Sequence, residues 1–149
     1  MKKSISVILL LLVLTAFQCG KECCVVGPCS EVVSLTGTWK LAYYKNGSTS
    51  VIDSMPITDG EEVIFAFKDN EKTGTIAGKT FVNTVEGEYE MLEYCRIKVT
   101  SFGGTKVGEP DWSAKAWLES NATYHYKILG AEMQIQRYQG TDIMVFKKV

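Results

Sequence analysis

Five cysteines, a single histidine and several close-set carboxylates are the residues of this 149-residue chain whose types could do chemistry. Cys23, Cys24 and Cys29 crowd together shortly after Cys19, and Cys95 stands alone far downstream. In a protein that leaves the reducing cytosol such thiols read first as disulfides, although a bond between the adjacent Cys23 and Cys24 is sterically awkward. A thiolate metal site is the competing reading. Its Cys-Cys-x4-Cys spacing lacks the paired Cys-x2-Cys arms of zinc sites, and no histidine is near. His125 lies in an alternating run with Tyr124, Tyr126 and Ile128, which puts it on the opposite, solvent-facing side of a strand. A role as general base would need an acid or nucleophile brought up by folding. The carboxylates fall at Glu61-Glu62 and at Glu86, Glu88 and Glu90, the last three spaced to share one strand face. Glycosidase carboxyls face each other across a cleft in unlike environments, so a solvated acidic stripe is expected, with calcium or a basic partner as the functional alternative. Gly103, Gly104 and Gly108 are followed by no Gly-Lys-Ser/Thr, which excludes a phosphate-cradling loop. The sequence thus assigns no catalytic residue, no cofactor and no metal ligand, and a non-enzymatic protein is expected.

The N terminus has its own chemistry. Lys2 and Lys3 precede an apolar run from Ile5 to Val13, and Leu14 to Cys19 form a processing region. Together these make the three-part pattern of an export signal. The apolar run is short of the roughly 20 residues needed to cross a membrane. A signal ending in a cysteine resembles a bacterial lipoprotein signal, in which that cysteine takes lipid and becomes the mature N terminus. Here that residue is Cys19, preceded by Ala16, Phe17 and Gln18, the last two bulkier than the usual pattern. The expected location is the bacterial cell envelope, as an outer-membrane lipoprotein or in the periplasm. Loss of residues 1–18 removes two lysines and no acid, leaving 14 basic against 17 acidic residues, a formal net of −3. That balance argues against a nucleic-acid partner, which calls for a concentrated basic face. The expected partners are a membrane, reached through the lipid, and an envelope protein.

Three segments follow: a signal over 1–18, a cysteine-containing tether over 19–34 and one β domain over 35–149. The tether has Gly27-Pro28 and no sustained apolar period, apart from an extension of strand pairing around Val32 and Val33. It is expected to add little to domain stability. Beyond Leu35, short runs alternate apolar and polar residues in the manner of half-buried antiparallel strands. Trp39, Leu41 and Tyr43 are expected to face a core, as are Val63, Phe65 and Phe67. Further strands are expected near 73–77, 87–92, 95–100, 124–129, 132–137 and 141–147, the last three separated by Gly130 and Gly140. Seven or eight short strands favour a closed or nearly closed barrel, because closure removes exposed edges. The segment from Pro110 to Glu119 reads instead as a helix of two to three turns packed over a barrel end, with a lid over a cavity as the functional alternative.

The run Leu35-Thr36-Gly37-Thr38-Trp39-Lys40-Leu41 resembles the opening strand of META domain proteins, the HslJ-like bacterial envelope proteins, and also the G-x-W start of lipocalins. Gly78, Thr80, Asn83, Gly87 and Tyr89 match the META pattern G-x-T-x-x-N-x-x-x-G-x-Y. The likeness continues through Ile97, Val99, Thr105, Trp112 and the closing run from Tyr126 to Ile135. Phe81-Val82 stands where many relatives have Gly-Cys, so the disulfide of that branch does not transfer. The resemblance implies a small antiparallel β-barrel-like domain of lipocalin-like topology with one helix, set in an envelope protein or lipoprotein. Physical reasons for the matched residues are structural: Asn83 locks a turn, and Gly78 and Gly87 allow tight turns or a bulge. The function expected is a non-catalytic envelope domain, stress-related or protein-interacting. The alternative is a barrel that binds a small apolar ligand.

Overall fold

The structure is a computed structural model and describes residues 30, 31, 33–57 and 59–149. The export signal, Cys19, Cys23, Cys24 and Cys29 lie outside the described residues. The described residues form nine antiparallel strands: β1 (Gly37–Asn46), β2 (Ile52–Ser54), β3 (Ile64–Asp69), β4 (Thr73–Lys79), β5 (Thr84–Leu92), β6 (Arg96–Gly104), β7 (Thr123–Leu129), β8 (Glu132–Arg137) and β9 (Asp142–Lys148). Strands β1 and β3 to β9 follow one another around the sheet, and β9 pairs back onto β1, so eight strands close a barrel. Strand β2 is an addition, pairing with the far half of β1 through Tyr43↔Ser54, Tyr44↔Asp53 and Lys45↔Ile52. The polar, turn-like Asn46-Gly47-Ser48-Thr49 before it and its exposed residues hid it from a reading based on alternation.

Alternation fills the barrel with large side chains. Trp39, Phe65, Phe67, Tyr89, Ile97, Met133, Ile135 and Phe146 are all buried in one cluster. The Phe65 ring lies 6.4 Å from Phe67, 5.9 Å from Phe102 and 5.8 Å from Phe146, within aromatic packing range. One expected core position is corrected. The register slips between Leu41 and Tyr43 opposite β9, and that bulge turns Tyr43 outward and Tyr44 inward. An extra residue in one strand reverses the faces of all that follow until it ends.

The 110–119 segment is also corrected. Only Asp111–Ala114 is α-helical, here called α1, and its cap position is Pro110, with no side-chain cap. Asp111 therefore does not cap it. The remaining residues turn downward to bury Ala116 and Leu118. Burial, rather than helical hydrogen bonding, fixes so short a piece.

Both ends of the barrel are shut. Loop 105–122 with α1 covers the end where β1 finishes. The opposite end is crossed by residues read from sequence as tether. There Ser30 Oγ accepts from the Ile128 amide at 2.9 Å, Glu31 N donates to Ile128 O at 3.2 Å, and Tyr126 Oη donates to Val33 O at 2.6 Å. Ser34 Oγ and Leu35 N then donate to the two oxygens of Asp69, each at 2.7 Å. Strands β7 and β3 stand four places apart in an eight-strand ring, so this segment spans the barrel's diameter. The domain's bonding thus begins before Leu35, because backbone donors laid across a closed apolar end must find partners there.

Candidate functional site

Asn83 is the hub of the loop-covered end. A two-residue turn after β4 brings it back to Thr80, whose amide donates to Asn83 O at 2.8 Å. Its Oδ1 accepts from Thr105 Oγ1 at 3.0 Å and Val107 N at 2.8 Å, while Nδ2 donates to Val107 O at 3.0 Å and Glu109 Oε2 at 2.5 Å. Glu109 also accepts from Thr80 Oγ1 at 2.6 Å, from Phe81 N at 3.0 Å and from Ser113 Oγ. Desolvation would raise the Glu109 pKa, but these hydrogen bonds outweigh it and hold the carboxyl below its usual range. Every donor is spoken for, so the cluster is a clasp for the loop and leaves no group to act on a substrate. Sequence reasoning placed Asn83 in a turn and missed Glu109, for which an acid directly before Pro110 was the available signal.

The other motif residues support the frame. An added Cβ on Gly78 would stand 2.0 Å from Ile64 O, and on Gly87 2.5 Å from Ser101 O. Neither strand could approach its neighbour with a larger residue. Gly37 has φ +150°, a backbone angle that side-chain-bearing residues rarely adopt. Trp39 is 2% exposed, donates through Nε1 to Leu35 O at 2.9 Å and lies under the Lys148 ammonium. Tyr89 donates to Asp69 Oδ2 at 3.0 Å, and burial followed by the Asp69 charge pushes its phenol up, so it is a neutral donor. Asp69 gathers Ser34, Leu35 and Tyr89 on one carboxylate.

Among the described residues, His125 and the glutamates singled out for chemistry are not brought together. His125 points outward from β7, its ring 5.4 Å from that of Tyr138, opposite Arg96 and Gln136 in register. No carboxylate is bonded to it among the described residues. Glu86, Glu88 and Glu90 line the outer face of β5, beside Ala77, Thr75 and Thr73 on β4. On their other side the first two meet Gly103 and Ser101, and Glu90 meets Lys98. The small neighbours leave a broad open groove of about 1070 Å³ over Glu86 and Glu88. Glu62 is bonded to Lys40, which lowers its pKa. Cys95 is disulfide-bonded, and every other cysteine of the chain stands at 19, 23, 24 or 29. No group of three metal-ligating side chains converges among the described residues.

A smaller cleft of about 360 Å³ opens at the loop-covered end. Tyr44, Tyr124 and Met144 form its buried floor, Trp117 one wall, and Lys115, Glu119, Arg137 and Asp142 its rim. Tyr44 Oη donates to Trp112 O at 2.9 Å, and Tyr124 Oη accepts from Glu119 N at 2.8 Å. Burial, then the nearby Asp53 and Glu109 charges, pushes the Tyr44 phenol up, and burial is the main cause of the same direction in Tyr124. Both are bonded, neutral phenols and not bases. The rim cations are engaged, Lys115 with Asp53 at 2.8 Å and Arg137 with Glu119 at 2.6 Å. The cleft can hold an apolar group against aromatic faces, and it holds no activated nucleophile.

An NMR structure of a protein from Burkholderia xenovorans has this fold. It superposes with a TM-score of 0.53 at 16% identity, over 83% of this chain and 97% of that one. At that identity the likeness concerns the fold alone. No family model and no curated protein matches the sequence.

Proposed function

We propose that the protein is a non-catalytic cell-envelope lipoprotein, a filled β-barrel held to the membrane through Cys19 on one side and offering its loop-covered end to a protein partner. The observation that carries this reading is the opposition of the two ends. The chain enters across one end through Ser30 to Leu35, while the cleft and the half-buried Trp112 and Trp117 lie at the other. An interior packed with aromatic side chains suits a rigid spacer, as interiors are close-packed. The META-like motif residues, which serve the frame and leave no spare polar group, support the same reading.

Cell fractionation with intact-mass analysis of the protein from its own host tests it. A processed chain beginning at lipid-modified Cys19 in the membrane fraction is expected, and Cys19→Ser should release it. A chain still beginning at Met1, or an unmodified mature N terminus, overturns the anchor. The second reading, binding of a small apolar ligand, is favoured by the Tyr44, Tyr124, Met144 floor of the cleft. It predicts saturable 1:1 binding of an apolar fluorescent probe that is lost in Trp117→Ala. Absence of such binding removes it.

A further inference from the structure

We propose that the rim of the barrel end crossed by the N-terminal segment is a membrane-contact surface, with Val33, Tyr94, Leu129 and Val149 dipping into the bilayer interface. This rests on the envelope-anchored reading and adds an orientation to it.

The placement of these residues follows from the topology. Tyr94 lies in the β5–β6 turn, Leu129 ends β7 before the β7–β8 turn, Val149 follows β9, and Val33 belongs to the segment crossing the same end. Turns and termini of successive strands from β5 to β9 thus carry one large apolar side chain apiece along one arc of the rim. They are 75%, 43%, 74% and 72% exposed in the order Tyr94, Leu129, Val149, Val33. The opposite end also exposes Val51, Val82, Val107 and Tyr138, so exposure alone does not choose between the two ends, and the choice rests on where the N-terminal segment joins the barrel. The remaining turn at this end, Asn70-Glu71-Lys72, is polar.

The length of the chain and the place where it joins the barrel identify the occupant. Ser30 and Glu31 are bonded to Ile128 and Gly130 on β7 and the turn after it, in the middle of that arc. Only 10 residues stand between Cys19 and Ser30, a reach of at most about 40 Å when fully extended. The Cys95 disulfide lies in the same arc, and all other cysteines of the chain precede Ser30. An anchored barrel therefore meets the bilayer with this rim. Tyrosine and aliphatic side chains beside Arg96 and Lys127 are the mixture that partitions into the headgroup region. Glu31 and Glu93 share the rim, so apolar insertion carries the contact and charge adds little.

The test uses the mature chain from position 19 with Cys19→Ser, which has no lipid, and vesicles of phosphatidylcholine with one quarter phosphatidylglycerol. Weak binding that persists in about 0.5 M salt, where surface charge is screened, is expected. Tyr94→Ser with Leu129→Ser should lower the partition coefficient by about tenfold. Ile57→Ser with Val107→Ser, exposed positions in loops away from this rim, should leave it unchanged. Tyr94→Ser alone serves if the double variant misfolds. No binding, binding abolished by salt, or equal losses in both variant pairs overturns the proposal. The anchor itself is decided separately by the mass analysis, so the two can fail independently.

Discussion

Replacing Asn83 isolates the clasp from the rest of the barrel. In Asn83→Ala four hydrogen bonds disappear: those from Thr105 Oγ1 and Val107 N, and those to Val107 O and Glu109. Three reach an exposed loop where water can replace the lost partner, so each is worth about 0.5 kcal/mol, near the low end of the usual range. The bond to the Glu109 carboxylate is charge-assisted and contributes about 1.5 to 2 kcal/mol. The sum is about 3 to 3.5 kcal/mol, a fall in Tm of roughly 10 °C for a domain of this size. Asn83→Asp keeps the shape and reverses the polarity. Two carboxylates with centres about 4 Å apart repel by about 4 kcal/mol at an effective dielectric near 20, so this variant should be the less stable one at pH 7. The like charge of Glu109 raises the pKa of the introduced carboxyl in the folded state. The penalty is therefore full above that raised value and fades as pH falls toward the unfolded value near about 4, where a proton restores a bond between the two acids. Urea unfolding of both variants across this acid-to-neutral range provides the assay. An Asn83→Asp midpoint equal to that of Asn83→Ala throughout would falsify the clasp.

Trp39→Ala should cost about 3 to 5 kcal/mol by urea unfolding, as deletion of a large buried aromatic does, and an unchanged midpoint would remove Trp39 from the core. Gly78→Ala should cost about 3 kcal/mol, because the obstacle at 2.0 Å is backbone. Gly103→Ala, with nothing within 4 Å, should stay within about 0.5 kcal/mol of the parent, and equal effects of the two would contradict the close approach. A chain beginning at Leu35 should melt at lower temperature than one beginning at Ser30, since it lacks the bonds to Ile128, Tyr126 and one Asp69 oxygen. Identical melting curves would mean that the crossing segment does not support the fold.

Strands β3 to β9 were legible because their faces alternate between a filled interior and solvent, the plainest signal a small barrel can emit. The misreadings share one physical origin, long-range bonding that leaves no local period. Tyr43 was assigned inward because a bulge is invisible in a run that alternates on paper. The bonding of Ser30, Val33 and Ser34 to the barrel left no local signal because their partners Ile128, Tyr126 and Asp69 are each far away in sequence. Residues 110–119 carry helix-forming composition, yet covering the barrel end outweighs propensity after one turn. Asn83 was visible as a turn former, whereas its clasp depends on Glu109, a partner 26 positions downstream. The cleft was not legible at all, since its floor and rim come from β1, β7, β8, β9 and the loop after α1.

Strand β1 is zipped to β9 along seven register pairs, from Trp39↔Lys148 to Asn46↔Asp142. Strand β1 is thus completed by β9, and a chain emerging N terminus first has an open edge until β9 appears. Folding governed by such distant contacts is slow. For a chain that is exported as proposed, that slowness is useful: no stable barrel can form while β9 is still behind the membrane, so the polypeptide stays threadable until transport is complete. The closure that makes the finished domain rigid also sets the moment at which it can first exist.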